Sequence, residues 1–329
     1  MSTAVLVCEV PSAKLSFRVR LLCNENPDVV EKVLAQLPMQ SMLGHTVVSG
    51  EGFWIPTPAV YTGPGNMVKR HPGAVYFHSP AQSICITYGD TAESAKVNKF
   101  AEVLEEDLGT LKEVGKLVYN KTVAQVRHEL VEVSVRREGD TGNLPPVDRL
   151  MAPVIEFTGD WRLAVACIQQ EVNRIWLVEP EEITKVKLGV IESGMGTGGQ
   201  SFSVLVHLET MLMMVGSGIL YRLLMDSEDE EMTLSQMVRA TRRHVIQPFD
   251  YFEFKADLGL ARMKTFGDMY SIALESLSTL DEYRELTAAL LTLVTRMHYW
   301  IHQVFPWDLG VAFPHRTLED IPPSFTKVL

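Results

Sequence analysis

Apolar and polar side chains alternate without a break through Leu15-Ser16-Phe17-Arg18-Val19-Arg20-Leu21, and again through Val131-Glu132-Val133-Ser134-Val135. Period two puts successive side chains on opposite faces, so both runs predict β-strands. Ile84-Cys85-Ile86-Thr87-Tyr88 reads as a strand buried on both faces. A helical segment begins at Asn26-Pro27-Asp28, where proline suits the first turn, and ends before Pro38. The first 136 or so residues are therefore mainly β with one or two helices, a composition that suits a small barrel. The run from Arg136 to Pro146 is charged, then rich in glycine and proline, and marks a linker between residues 1–140 and 150–329. Beyond it the period becomes helical, with helices predicted over 160–176, 200–225, 233–252, 258–277 and 280–305. Asp160 has the position of an N-cap, and Thr233 with Gln236 and Thr279 with Glu282 have capping-box spacing. The predicted fold class is α+β multidomain: a β-barrel followed by an all-α helical bundle.

Composition adds constraints. The 329 residues are enough for two cores, and 46% hydrophobic with 22% charged side chains describes a folded chain. The net charge of −11 argues against nucleic acid as a partner. Residues 1–140 carry 14 basic and 16 acidic side chains, a net of −2, which leaves −9 for the rest. A strongly negative field repels dicarboxylates, so the near-neutral half is the better place for chemistry on acidic metabolites. The acidic run Ser227-Glu228-Asp229-Glu230-Glu231 reads as a solvated loop, since it lacks the alternating ligands and glycine of a calcium site. Cys8, Cys23, Cys85 and Cys167 form no Cys-x-x-Cys pair and read as buried free thiols of a reducing compartment. There is no basic leader, and the longest apolar run, Phe202 to Met225, is interrupted by His207, Glu209 and Arg222. The expectation is a soluble cytoplasmic protein with no membrane partner, whose apolar, methionine-containing helical half favours homo-oligomers.

Several motifs invite chemistry. Gly194-Met195-Gly196-Thr197-Gly198-Gly199 satisfies the dinucleotide pattern, preceded by strand-like Val186 to Ile191. No further strand–helix units follow, so a glycine loop leading into a bundle helix is the better reading, and no nucleotide cofactor is expected. His298 and His302, four apart, share a helix face with metal-compatible spacing. Two ligands on one helix do not define a site, so packing at a domain interface is preferred and no metal is expected. Met211, Met213 and Met214 read as core filler. The first half holds a denser polar and aromatic stretch: Trp54, Tyr61, Asn66, Lys69, Arg70, Tyr76, His78, Tyr88 and Glu93. Tyr76 and His78 share one strand face and Val75 and Phe77 the other. The Lys69-Arg70 pair suits a carboxylate ligand, and Glu93, after a buried strand, suits a general base.

The run Pro58-Ala59-Val60-Tyr61-Thr62-Gly63-Pro64-Gly65-Asn66-Met67-Val68-Lys69-Arg70-His71-Pro72-Gly73-Ala74-Val75-Tyr76-Phe77-His78, continued by Ser83 to Ser94, resembles the cyclophilin-like domain of cucumopine synthases. The helical half, above all His298-Tyr299-Trp300-Ile301-His302-Gln303-Val304-Phe305-Pro306-Trp307-Asp308-Leu309-Gly310, resembles their C-terminal helical bundle domain. The resemblance implies a cyclophilin-like barrel and a redox-free Pictet–Spengler condensation of histidine with 2-oxoglutarate. Within the matched stretch, Arg70 and the weaker Lys69 are candidates for holding a carboxylate, Glu93 for the base, and Tyr88 or His78 for the proton donor. Trp54, Tyr61 and Asn66 are candidates for lining the pocket. Two alternatives stand beside this: an NAD(P)H-dependent reductive opine dehydrogenase built on Gly194, Gly196 and Gly199, and a non-catalytic metabolite-binding module.

Overall fold

The structure is a computed structural model and describes residues 4–144, 156–190, 201–247 and 251–311. The first half comprises β1 (Val5–Val10), β2 (Leu15–Leu21), α1 (Pro27–Leu34), β3 (Met39–His45), β4 (Gly50–Pro56), the two-residue β5 (Met67–Val68), β6 (Ala74–His78), β7 (Ser83–Thr91), β8 (Val97–Val103), α2 (Leu108–Tyr119) and β9 (Val131–Arg137). Neighbours run β2-β1-β9-β3-β4-β7-β6-β8, and β8 returns to pair with β2. All these pairings are antiparallel, so eight strands close into a barrel without a free edge.

Period two sorts the side chains of this barrel into two layers. Phe17, Phe53, Phe77 and Phe100 fill the inside, and α1 and α2 add Val29, Val33, Leu111 and Val114 to the same core. The alternate positions Met42, Trp54, Tyr76, Cys85 and Val97 belong instead to the apolar cluster of the helical half. The outer wall of the barrel is thus one face of the bundle core.

The bundle follows with α3 (Trp161–Arg174), α4 (Glu181–Lys187), α5 (Ser201–Met213), α6 (Tyr221–Asp226), α7 (Leu234–Thr241), α8 (Tyr251–Asp257), α9 (Ala261–Ala273), α10 (Leu280–Val304) and α11 (Asp308–Val311). Asp160 caps α3 by accepting from the Arg162 and Leu163 amides, and both predicted capping boxes are formed. α5 runs through a π-helical stretch, Met214–Leu220, into α6. This combined helix is long and apolar enough to cross a membrane, yet Leu208, Leu212, Val215 and Leu220 are fully buried in the bundle. A similar π-helical stretch, Arg242–Ile246, ends the helix expected over 233–252 early.

Two expectations change. The strand-like Val186 to Ile191 is not a strand over its described part: α4 extends to Lys187 and Leu188 caps it. Glu181 and Glu182 in the first turn, Lys185 and Lys187 in the last, and buried Ile183 and Val186 three apart favour the helix. Gly194, Gly196 and Gly199 lie outside the described residues. Of the cysteines, Cys8, Cys85 and Cys167 are buried, but Cys23 is exposed because it follows β2 into a turn.

Candidate active site

Three adjacent strands set the outer wall. Trp54 on β4 lies opposite Cys85 on β7, which lies opposite Tyr76 on β6. Trp54 can lie flat because its partner on β3 is Gly44, where any Cβ would meet the indole at 2.0 Å. Tyr299 of α10 covers Trp54 with ring centroids 4.3 Å apart, and its hydroxyl donates to the Ala81 carbonyl at 2.8 Å.

At the Tyr76 end of this row Arg70 leans over the ring, its guanidinium carbon 5.4 Å from the centroid. Arg70 Nη2 pairs with Glu93 Oε2 at 2.7 Å, Nε donates to the Tyr76 hydroxyl at 3.4 Å, and Nη1 donates to the Ala95 carbonyl at 3.2 Å. The Arg70 side chain is 11% exposed and that of Glu93 41%, so the arginine is largely covered while the carboxylate is turned toward solvent. His78 follows Tyr76 on the same strand face and is open to solvent on one side. Desolvation on its protein side and the Arg70 charge lower its pKa, with Glu93 opposing, so the imidazole is neutral at neutral pH. Burial raises the Tyr76 phenol above its ordinary range, and pushes the Cys85 thiol up to about 11, which leaves Cys85 no nucleophile.

The structure thus brings together Arg70, Glu93 and His78, with Tyr76 as a fourth member. The other sequence candidates lie elsewhere. Tyr88 has the opposite parity to Cys85 on β7 and points into the barrel, its ring against Gly115 of α2. Its hydroxyl is 2.9 Å from His45 Nε2, and burial pushes its pKa up to about 12. Lys69 is exposed. Asn66 ties its loop down through Asn98 Oδ1 at 3.0 Å and Glu25 at 3.2 Å. Tyr61 donates to the Pro64 carbonyl, while its own carbonyl accepts from Tyr221 at 2.9 Å. Trp54 is buried beneath α10.

A second ionisable cluster lies beyond Trp54. His302 of α10 has its ring 5.4 Å from that indole, which puts it at the domain interface, the packing role preferred for the pair over metal ligation. Glu209 of α5 reaches both histidines: Oε1 is 2.7 Å from His302 Nδ1 and 3.2 Å from His298 Nε2. Sequence reasoning missed Glu209, since only the packing of α5 on α10 connects residues 93 positions apart in the chain.

A closed barrel carries an arginine, a carboxylate and a histidine on its outer wall, and a helical bundle packs on the same wall. Residues 161–304 match the family model described as the cucumopine synthase C-terminal helical bundle domain. The fold also matches a solved structure, McbB in complex with tryptophan, with a TM-score of 0.83 and 26% identity over 94% of this chain and 100% of that one. A hypothetical protein from Archaeoglobus fulgidus, solved in solution, covers 41% of this chain and 95% of its own at 19% identity, with a TM-score of 0.30 that carries no argument. No curated protein matches the chain. Residues 161–304 thus carry a cucumopine synthase C-terminal helical bundle domain, and the chain as a whole shares the fold of that solved relative.

Proposed function

We propose that the enzyme joins an amino acid bearing a nucleophilic aromatic ring, histidine first, to a 2-oxo acid, 2-oxoglutarate first. The supporting observation is the Arg70–Glu93 pair beside His78 on the outer wall. The tryptophan held by the solved relative supports an aromatic amino acid as the amine partner.

The reaction runs in three steps. The ammonium group gives a proton to neutral His78, and the freed amine adds to the keto carbon. His78 returns that proton to the departing hydroxyl, so that water leaves and an iminium remains. A ring carbon of the imidazole then attacks the iminium carbon, and loss of the proton on the attacking ring carbon to Glu93 restores aromaticity. No electrons are exchanged, so the balance requires no reductant. Arg70 holds a substrate carboxylate through two parallel hydrogen bonds. Because Glu93 occupies Nη2 of Arg70 before substrate arrives, an incoming carboxylate releases Glu93 as it binds, and the base becomes free when it is needed. His78 takes the proton-shuttle role rather than Tyr88, whose hydroxyl faces His45 inside the barrel.

The test is to mix protein, histidine and 2-oxoglutarate without nucleotide, with tryptophan and other oxo acids as further arms, and to search by mass spectrometry for substrate sum minus one water. Absence of that mass in every arm, or a product two hydrogens heavier formed with NADH, would overturn the assignment. Glu93→Gln should lower kcat about 100-fold or more while leaving binding intact, as expected for loss of a general base. Arg70→Ala should raise KM for the oxo acid, and an unchanged KM would remove Arg70 from carboxylate binding.

A further inference from the structure

Glu209, His298 and His302 each place one ligand atom within 4.8 Å of the other two. The histidines lie one helical turn apart on α10, and Glu209 faces them from α5. Hydrogen bookkeeping shows what this arrangement lacks. His302 Nε2 is 3.2 Å from the His45 carbonyl, which can only accept, so that nitrogen carries the hydrogen. In the neutral ring Nδ1 then presents a lone pair, and at 2.7 Å it faces a carboxylate oxygen that also offers only lone pairs. A cation belongs between them.

A proton on His302 would serve that one pair. It would leave the buried Glu209 Oε2 without a partner, and the buried His298 Nε2, 3.2 Å from Glu209 Oε1, in a contact too poorly aligned to count as a hydrogen bond. Buried polar atoms left orphaned or poorly paired are costly. A divalent ion answers all of them, taking one lone pair from each imidazole and either or both carboxylate oxygens. Zinc binds histidine nitrogen and carboxylate oxygen at about 2.0–2.2 Å, which sets neighbouring ligand atoms roughly 3–3.5 Å apart. The observed separations of 2.7 and 3.2 Å need only small movements to reach that range. The His45 carbonyl supplies the outer hydrogen bond that orients a ligating histidine. Two imidazoles and one carboxylate suit a transition ion better than magnesium or calcium.

We propose that Glu209, His298 and His302 form a binding site for a divalent transition-metal ion of the zinc type, at the place where α5 and α10 meet the end of β3. The ion pins the two helices together and holds α10 against the barrel wall, next to Trp54 and Tyr299. Three protein ligands leave a fourth position for water. The site is separate from Arg70 and Glu93, and the inference does not depend on the reaction assigned to them.

The experiment takes the full chain, removes metals with a chelator, and titrates Co²⁺ as a visible probe with Zn²⁺ as competitor. One equivalent of Co²⁺ per chain, with the absorption of a nitrogen–oxygen site and displacement by Zn²⁺, is expected, together with a higher melting temperature in Zn²⁺ than in chelator. The Co²⁺ form should also show two hyperfine-shifted, exchangeable imidazole N–H resonances, a count of histidine ligands that requires no substitution. Glu209→Gln and His298→Gln should each weaken Co²⁺ binding about 100-fold or more, beyond the effect of losing an outer-shell partner. Folded wild-type protein that takes up no stoichiometric Co²⁺, a spectrum without histidine resonances, or undiminished binding in both variants overturns the site and leaves a protonated histidine–glutamate cluster in its place.

Discussion

Arg296 carries its charge into the contact between bundle and barrel, 1% exposed and with no carboxylate against it among the described residues. Its guanidinium lies between the rings of Trp176 and Trp300, 4.9 and 5.0 Å from their centroids. It donates to the Trp176 carbonyl, while Nη1 has no partner. Burial pushes its pKa down to about 9, so it remains charged at neutral pH. Two aromatic faces compensate part of the desolvation, each worth up to about 2 kcal/mol in a dry setting. An incompletely satisfied buried charge is weak evidence for stability. Arg296→Met, which keeps the volume and drops the charge, is expected to unfold in urea at or above the wild-type midpoint. Arg296→Ala, which leaves a cavity, should lose about 2–5 kcal/mol. A Met variant as unstable as the Ala variant would show that the charge itself holds the interface.

Glu171 does the corresponding work between helices. From α3 it accepts from Arg174 on its own helix and from Arg262 on α9, each through two short contacts. Burial alone would raise its pKa; the two guanidinium groups more than reverse this and hold it below the ordinary carboxylate range. The folded pKa is therefore the lower one, so this contribution to stability is complete above the unfolded value near 4.5 and disappears as pH falls through the folded value. Urea midpoints at pH 7 and pH 3 should fall further apart in wild type than in Glu171→Gln, and equal drops would remove Glu171 from acid unfolding. At this scale much was legible in the sequence. Alternation marked β2 and β9, and Asp160, Thr233 and Thr279 announced three helix starts through the side chains that satisfy their first amides. β7 hid its sidedness: Ile84, Cys85 and Ile86 are apolar whichever way they point, so nothing in the pattern told Tyr88, inside, from a residue on the wall. Arg70, Glu93 and His78 were legible because one local stretch carries all three, whereas Glu209 needed the tertiary packing of α5 on α10.

The two halves share one apolar cluster, since Met42, Trp54, Tyr76, Cys85 and Val97 pack with the bundle. Polar ties cross the same boundary: Trp176 to the Gln40 carbonyl at 2.7 Å and Gln82 to Thr292 at 2.9 Å. They should therefore melt in one calorimetric transition. Trp54→Ala should cost about 3–5 kcal/mol, the range for deleting a large buried aromatic, and separate the barrel transition from that of the bundle. A two-step melt of the wild type would show instead that the shared cluster does not couple them.

The filled barrel has a consequence for how such an enzyme diverges. Phe17, Phe53, Phe77 and Phe100 fill the middle of the bore. Along β4, β6 and β7 one parity of residues builds that interior, and the other faces the helices. Under the proposed reaction, folding and recognition are thus written on alternate letters of the same strands. A change of substrate would then fall on one parity and on the helix opposite, while the other parity stays as it is.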